Sequence, residues 1–180
     1  MHKEDQEIIL LIRNEETRII GFNRLVNQYQ KEVYWLIRRM VIDHDDADDL
    51  AQEVFIKVWK NIGEFRGDSA LFTWIYRIAT NEALTFIKKK RFSSMLALSS
   101  VENRLSSSMH NDAFYQANET IDRFQKALLR LPDKQRLVFN MKYFDEVTFE
   151  EMAQITGTSV GALKASYHHA VKKIEKIMTA

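Results

Sequence analysis

The chain contains no cysteine. Disulfide frameworks, thiolate zinc centres and cysteine nucleophiles are therefore excluded, and a reducing compartment fits. One proline and five glycines in 180 residues leave few helix breakers. Long apolar runs are also missing. The N-terminal stretch MHKEDQEIILLIRNEE holds only the five-residue run Ile8 to Ile12, with acids on its flanks. That is too short for a membrane span or a signal peptide, so a soluble, cytoplasmic protein is expected. Charge of one sign is lacking overall: the net is +1 at pH 7, which rules out a general polycationic glue. Nor is there a P-loop, a zincin pair or a Ser-His-Asp arrangement. The expectation is a protein that is not an enzyme, with no catalytic residues, no cofactor, no metal and no small-molecule substrate.

What is present is helical periodicity and segregated charge. With 46% hydrophobic and 28% charged residues the composition is that of a globular domain. No strand pattern of useful length occurs, so the fold class expected is all-α. Residues 17–41 read as one helix and 46–62 as a second. Gly63 and Gly67 break the pattern, with Asp68 or Ser69 as the cap of a third helix from Leu71 to about Arg91. Residues 92–118 carry seven serines and little periodicity, and read as a linker. Helices resume over 119–130 and from Pro132, which suits a first helical turn, to about Phe144. The organisation expected is two small helical domains, 1–92 and 119–180, joined by a Ser-rich linker over 93–118.

Charge is unevenly distributed along this chain. Residues 43–53 carry six acids (Asp43, Asp45, Asp46, Asp48, Asp49, Glu53) and no base. Residues 77–91 set Arg77, Lys88, Lys89, Lys90 and Arg91 against Glu82, and residues 164–176 set Lys164, Lys172, Lys173 and Lys176 against Glu175. One acidic and two basic stretches suggest at least two kinds of partner, although charge alone also allows three solvated faces.

The C-terminal stretch DEVTFEEMAQITGTSVGALKASYHHAVKKIEKIM has the pattern of a helix-turn-helix. Thr148 and Glu151 stand at capping-box spacing. Ala153 is small where helices would cross, Gly157 supplies a positive φ, and Ser159 caps the next helix. That helix turns an apolar arc inward (Val160, Leu163, Tyr167, Ala170, Val171, Ile174, Met178). The other side presents Ala162, Ala165, Ser166, His169, Lys172, Lys173 and Lys176. Small residues at the front would let the backbone approach a groove, and the later cations would reach phosphates. An ordinary amphipathic helix pair is the other reading. The neighbouring His168 and His169 diverge by 100° on a helix, which disfavours a shared metal.

The third helix, SALFTWIYRIATNEALTFIKKKRF, places Trp74, Arg77, Thr80, Asn81 and Lys88 on one stripe. An unstacked base needs a π-face, cations for its backbone and an amide for its edge. A half-buried Trp74 and a solvated KKKR helix end account for the same residues without a ligand. The acidic stretch does not have the spacing of a calcium loop. From Asp43 the fifth position is Ala47, from Asp46 it is Leu50, and neither start offers glycine at the sixth. Carboxylates at a helix N-terminus gain about 0.3–1 kcal/mol each, but one or two would suffice. The excess reads as a docking face for a basic partner.

The segment DADDLAQEVFIKVWKNIGEFRGDSALFTWIYRIATNEALTFIKKKRF resembles region 2 of bacterial RNA polymerase sigma factors. LPDKQRLVFNMKYFDEVTFEEMAQITGTSVGALKASYHHAVKKIEKIM resembles their region 4. The two regions in this order, with a linker and nothing else, look like the extracytoplasmic-function group, over roughly residues 17–92 and 119–178. The resemblance implies a factor that binds core polymerase and directs initiation by recognising −10 and −35 elements and helping to melt the former. A helix bearing Asp49, Leu50, Gln52, Glu53 and Phe55 would dock on the β′ clamp helices. Phe65, Arg66, Trp74, Arg77, Asn81, Lys88, Lys89, Lys90 and Arg91 would meet −10 DNA. Ser159, Gly161, Ala162, Lys164, Ala165, Ser166, His169, Lys172 and Lys173 would meet −35 DNA. The linker would run through the RNA exit path, region 4 would also touch the β flap, and an anti-sigma factor, often membrane-anchored, is implied. Many members carry arginines near positions 166 and 169, where this chain has Ser166 and His169. A stand-alone helix-turn-helix regulator would also explain the C-terminal half, but would leave the acidic face and the Trp74 stripe without a task.

Overall fold

A computed structural model describes residues 3–41, 43–96 and 119–179. These form eight α-helices and no strand: α1 Lys3–Arg13, α2 Arg18–Val41, α3 His44–Asn61, α4 Leu71–Leu96, α5 Glu119–Leu129, α6 Asp133–Tyr143, α7 Phe149–Thr156 and α8 Val160–Thr179, with a 3₁₀ turn at Ile62–Glu64 after α3.

Helices α2, α3 and α4 pack around one apolar core. Leu25, Val33, Leu36 and Ile37 from α2 meet Ala47, Val54 and Val58 from α3 and Leu71, Ile75, Ala79 and Ala83 from α4. Each set recurs at three- or four-residue spacing, so each helix offers one apolar face. Asp43, the first acid of the cluster, is the N-cap of α3, its side chain accepting from the Asp46 N–H at 3.2 Å. Gly67 adopts a left-handed φ of 83° in the turn before α4. The expected cap at Asp68 or Ser69 does not form there: α4 begins at Leu71, and the Ser69 hydroxyl donates instead to the Ala70 carbonyl at 3.3 Å. Helix α4 also runs past Arg91 to Leu96, so its first residues beyond 92 are helix rather than linker. Residues 97–118, the rest of the proposed linker, lie outside the described residues.

Helix α1 is an addition that periodicity did not announce. It packs antiparallel on α2. Asp5 is buried, accepting from the Tyr29 hydroxyl at 2.6 Å and Gln28 Nε2 at 3.2 Å. Burial, and then the Asp5 carboxylate, push the Tyr29 hydroxyl well above its usual pKa. Gly21 makes the approach possible. A Cβ there would lie 2.8 Å from the backbone nitrogen of Ile12 and from Leu11 Cβ. Gly21→Ala would ordinarily gain up to about 1 kcal/mol of helix propensity. A clash with backbone cannot be relieved by a rotamer change, so overpacking at about 1–3 kcal/mol decides the sign. The variant is expected to melt at a lower temperature than the parent in a circular-dichroism scan.

Helices α5 to α8 form the second module. Ala127, Leu128, Leu131, Phe139, Ala170 and Ile174 make a small core between α5, α6 and α8. The two modules touch: α6 packs on α2 and α7 packs on α4. Helix α6 is consequently buried over six consecutive residues, Arg136 to Met141, including an arginine and an asparagine.

Candidate nucleic-acid and partner interface

On α3 the six acids divide by task. Asp43 caps the helix. Asp46 pairs with Lys90 and Asp48 with His44 Nδ1 at 3.0 Å. Asp45, Asp49 and Glu53 remain, exposed, and no cation among the described residues pairs with them. They stand at i, i+4 and i+8, one line along the outer face. Gln52 is exposed beside them, and so is the side chain of Ile56, one turn on. Lys57, further along, is occupied by Glu82. Three like charges in a row repel one another slightly within the helix, so the line costs a little stability, and no cation among the described residues offsets it. Leu50, on the apolar stripe of α3 and named for docking only by the resemblance, is 3% exposed and belongs to the core. Its apolar side chain anchors α3 from behind. Phe55 is half-buried against the same core.

Helix α4 carries the aromatic and cationic strip. Trp74 is half-buried, its ring centroid 5.5 Å from that of Phe65. Phe65 itself is only 5% exposed. It backs the Trp74 indole here, and the expected contact with −10 DNA would require the ring to be uncovered. Arg66, Arg77 and Asn81 are exposed. Thr80, read from the sequence as part of the outer stripe, is buried at 2% and satisfies its hydroxyl on the Arg77 carbonyl at 3.1 Å. Lys88, Lys89, Lys90 and Arg91 are exposed. Because α4 continues to Leu96, this run lies inside the helix, and the last turn contains no base. Complementing the helix dipole does not explain the run, since that effect is confined to the terminal turn. Two strip residues are held across the module boundary. The Arg77 guanidinium donates to the Gln154 carbonyl in the last turn of α7, and Arg91 pairs with Asp133 at 2.7 Å.

In the second module the helix-turn-helix geometry is complete. Thr148 and Glu151 form both halves of a capping box, and Gly157 ends α7 with φ 67°. Ser159 precedes α8 and accepts weakly from the Ala162 N–H at 3.4 Å. Leu163, Ala170 and Ile174 point inward, with Val160, Tyr167, Val171 and Met178 half-buried around them. Gly161, Ala162, Lys164, Ala165, His169, Lys172 and Lys173 are exposed and Ser166 partly so. Lys164 Nζ lies 5.8 Å from the Phe149 ring centre, and Lys173 donates to Gln135 Oε1 at 3.0 Å. The front of α8 thus presents a nearly smooth backbone, and its rear presents cations.

The matches to known proteins follow the same division. Residues 25–93 match the model of sigma-70 region 2, and residues 121–174 match that of sigma-70 region 4. The extracytoplasmic-function sigma factor SigW of Bacillus subtilis is 31% identical over 164 residues, covering 87% of this chain and 88% of that protein. The chain belongs to the sigma-70 family, in its extracytoplasmic-function group. The sigma-H factor of Pseudomonas aeruginosa is 28% identical over 191 residues, covering 98% of this chain and 94% of its own. Among solved structures, the sigma factor RpoE in complex with the anti-sigma factor NepR from Bartonella quintana aligns with a TM-score of 0.70 at 21% identity. That alignment covers 88% of this chain and 97% of that one. CnrH in complex with the cytosolic domain of CnrY aligns with 0.70 at 20%, over 98% of each. These two support the fold.

The sigma factor therefore serves promoter-specific transcription initiation with core RNA polymerase, and its family is one of initiation factors rather than enzymes. No helix among the described residues is long and apolar enough to cross a membrane. Four residues at the module boundary, Arg39, Arg136, Asn140 and Asp145, escaped the sequence reading. Only the placing of Arg136 and Asn140 one turn apart within an otherwise apolar run of α6 hinted that this stripe faces something polar.

Proposed function

We propose that the three modules of exposed chemistry divide the work of initiation by residue. The line Asp45, Asp49 and Glu53, with Gln52 and Ile56 beside it, docks α3 on the β′ clamp helices of the polymerase. Its acids would be matched by basic residues and its isoleucine by an apolar one. Trp74, Arg77 and Asn81, with Arg66 from the preceding turn, hold the melted −10 strand: indole against base, guanidinium to phosphate, amide to a base edge. Lys88, Lys89, Lys90 and Arg91 extend the phosphate track. The front of α8, from Ser159 through Ser166, enters the major groove of the −35 element, and His169, Lys172 and Lys173 meet its backbone. Phosphodiester chemistry stays with the polymerase. In the cytoplasm an anti-sigma factor would hold the chain in reserve, region 4 would touch the β flap, and the linker would follow the RNA exit path.

The observation carrying this reading is the unpaired acidic line on the helix next to the aromatic–cationic strip, in the module that precedes the helix-turn-helix. A regulator acting on DNA alone has no use for that line. Gel filtration of the purified chain with core polymerase tests it. Co-elution at one-to-one stoichiometry is expected. Separate elution at micromolar concentration, with the chain folded, overturns it.

A further inference from the structure

Helix α4 holds one large apolar side chain that neither its core nor the strip around Trp74 accounts for. Phe92 is 69% exposed. It stands about five turns, roughly 27 Å, beyond Trp74 on the same helix. At about 100° per residue those turns bring it back to the same direction, so the two rings lie on one line. Asn81, Thr85 and Lys88 fall within about 40° of that line, and all three are exposed. The opposite side is core, with Leu71, Ile75, Ala79, Ala83 and Ile87 buried. The cations around Phe92 divide. Lys90 pairs with Asp46, its Nζ lying 5.6 Å from the Phe86 ring centre, and Arg91 pairs with Asp133 at 2.7 Å. Lys88 and Lys89 flank the line and pair with no acid among the described residues. Lys88 is one turn before Phe92, where side chains are neighbours.

An apolar ring between two cations suits a polyanion that carries apolar groups of its own. The line already bears Trp74 and Asn81, so the polyanion is the DNA that the rest of the strip holds. Distance decides which part of it. Roughly 27 Å is about eight base steps at 3.4 Å each. The module assigned to the −35 element is joined to the C-terminal end of α4, so the Phe92 end faces upstream. Bases that far upstream of the strand held at Trp74 are paired and stacked. A ring could enter the stack only by prising a step apart, at a cost in free energy. The major groove of a duplex offers a phenyl ring one apolar group on a base, the 5-methyl of thymine. Lysines on the neighbouring phosphates set the register, and the ring supplies the sequence information.

We propose that Phe92 reads the methyl group of a thymine in the duplex upstream of the melted segment, with Lys88 and Lys89 on the flanking phosphates. The assignment rests on the function proposed above and adds to it a base-specific contact outside both promoter elements. Burying one methyl group against the ring corresponds to about fourfold in affinity. Because the side chain is exposed, removing it should leave the melting temperature of the chain where it is.

The test uses promoter fragments in which a single T·A pair is stepped, in either strand, through the duplex upstream of the −10 element on a G·C background. Each fragment has a copy with uracil in place of that thymine, which removes the methyl group and nothing else. Holoenzyme assembled from core polymerase and this chain is titrated on both by fluorescence anisotropy. At one position the parent should bind the thymine fragment about fourfold more tightly than its uracil copy. Phe92→Ala should bind the two equally, and Phe92→Leu, apolar but smaller, should keep part of the preference. No preference for thymine over uracil at any position overturns the assignment, as does a preference that survives in Phe92→Ala. If Phe92→Ala weakens every fragment alike, the ring is a sequence-blind contact and the assignment is again overturned. A parent holoenzyme that binds no fragment sinks the proposed function as well, whereas binding without a thymine preference sinks the role of Phe92 alone.

Discussion

Asp49→Lys combined with Glu53→Lys is expected to abolish association with core RNA polymerase while leaving the chain folded. Both side chains are exposed and take part in no internal ion pair among the described residues, so each exchange should move stability by no more than about 0.5 kcal/mol. Asp45 and Glu53 flank Asp49 along the helix, and removing like-charge neighbours relieves a small repulsion there. Across the interface the effect is different in kind. An acid matched to a cation becomes a cation opposed to one, inside a surface that excludes water. Disrupting such pairs costs about 2–5 kcal/mol each, so a loss of at least about a hundredfold in affinity is expected, read by fluorescence anisotropy of a labelled chain titrated with core enzyme. Asn61→Glu is the control: exposed, on the same helix and about 120° round from Asp49, it should bind as the parent does. If the double variant binds core enzyme as tightly as the parent, the acidic line is a solvated face and nothing more.

The second large effect belongs to α4. Trp74→Ala should leave binding to core enzyme unchanged and depress promoter melting. Stacking of a base on an aromatic side chain is worth about 1–3 kcal/mol, so open-complex formation followed by permanganate footprinting should fall roughly ten- to a hundredfold. The indole is half-buried against Phe65, and truncation will also cost some stability. Asn81→Ala, at an exposed position, supplies the cleaner companion, with a smaller loss and no change in melting temperature. Lys88→Gln with Lys89→Gln should act through charge alone, lowering the salt dependence of single-strand binding by about 0.7 per cation. A Trp74→Ala protein that opens promoters as the parent does would mean that the indole is core and that the strip reads no base.

How far these residues were legible from sequence depends on the range over which their neighbours act. Helices α2, α3, α4 and the helix-turn-helix were legible because each repeats an apolar residue every three or four positions and is punctuated locally. The capping box at Thr148 and Glu151 and the left-handed Gly157 both fall where the sequence puts them. Helix α1 was not legible. Its apolar run is short, and what stabilises it lies on another helix: Tyr29 and Gln28 holding Asp5, and the missing Cβ of Gly21. The acidic cluster was legible as an excess but not as a division of tasks, because the partner of Asp46 is Lys90, 44 residues away. Leu50 falls on the apolar stripe that periodicity gives α3, although the resemblance also names it for docking; Phe65 was placed at the DNA by the resemblance alone, and the structure buries both beside exposed residues. The contact between the modules had no signal at all beyond the arginine and asparagine inside α6, since Arg39 and its partner Asp145 stand 106 residues apart.

Run-off transcription by core polymerase on a library of promoter fragments tests the central claim most directly. With this chain added, and any inhibitor absent, transcripts should start downstream of one recurring pair of elements and vanish when the Asp49→Lys, Glu53→Lys double variant replaces it. Core enzyme that starts no transcript on any fragment, with the added chain folded, would contradict the account.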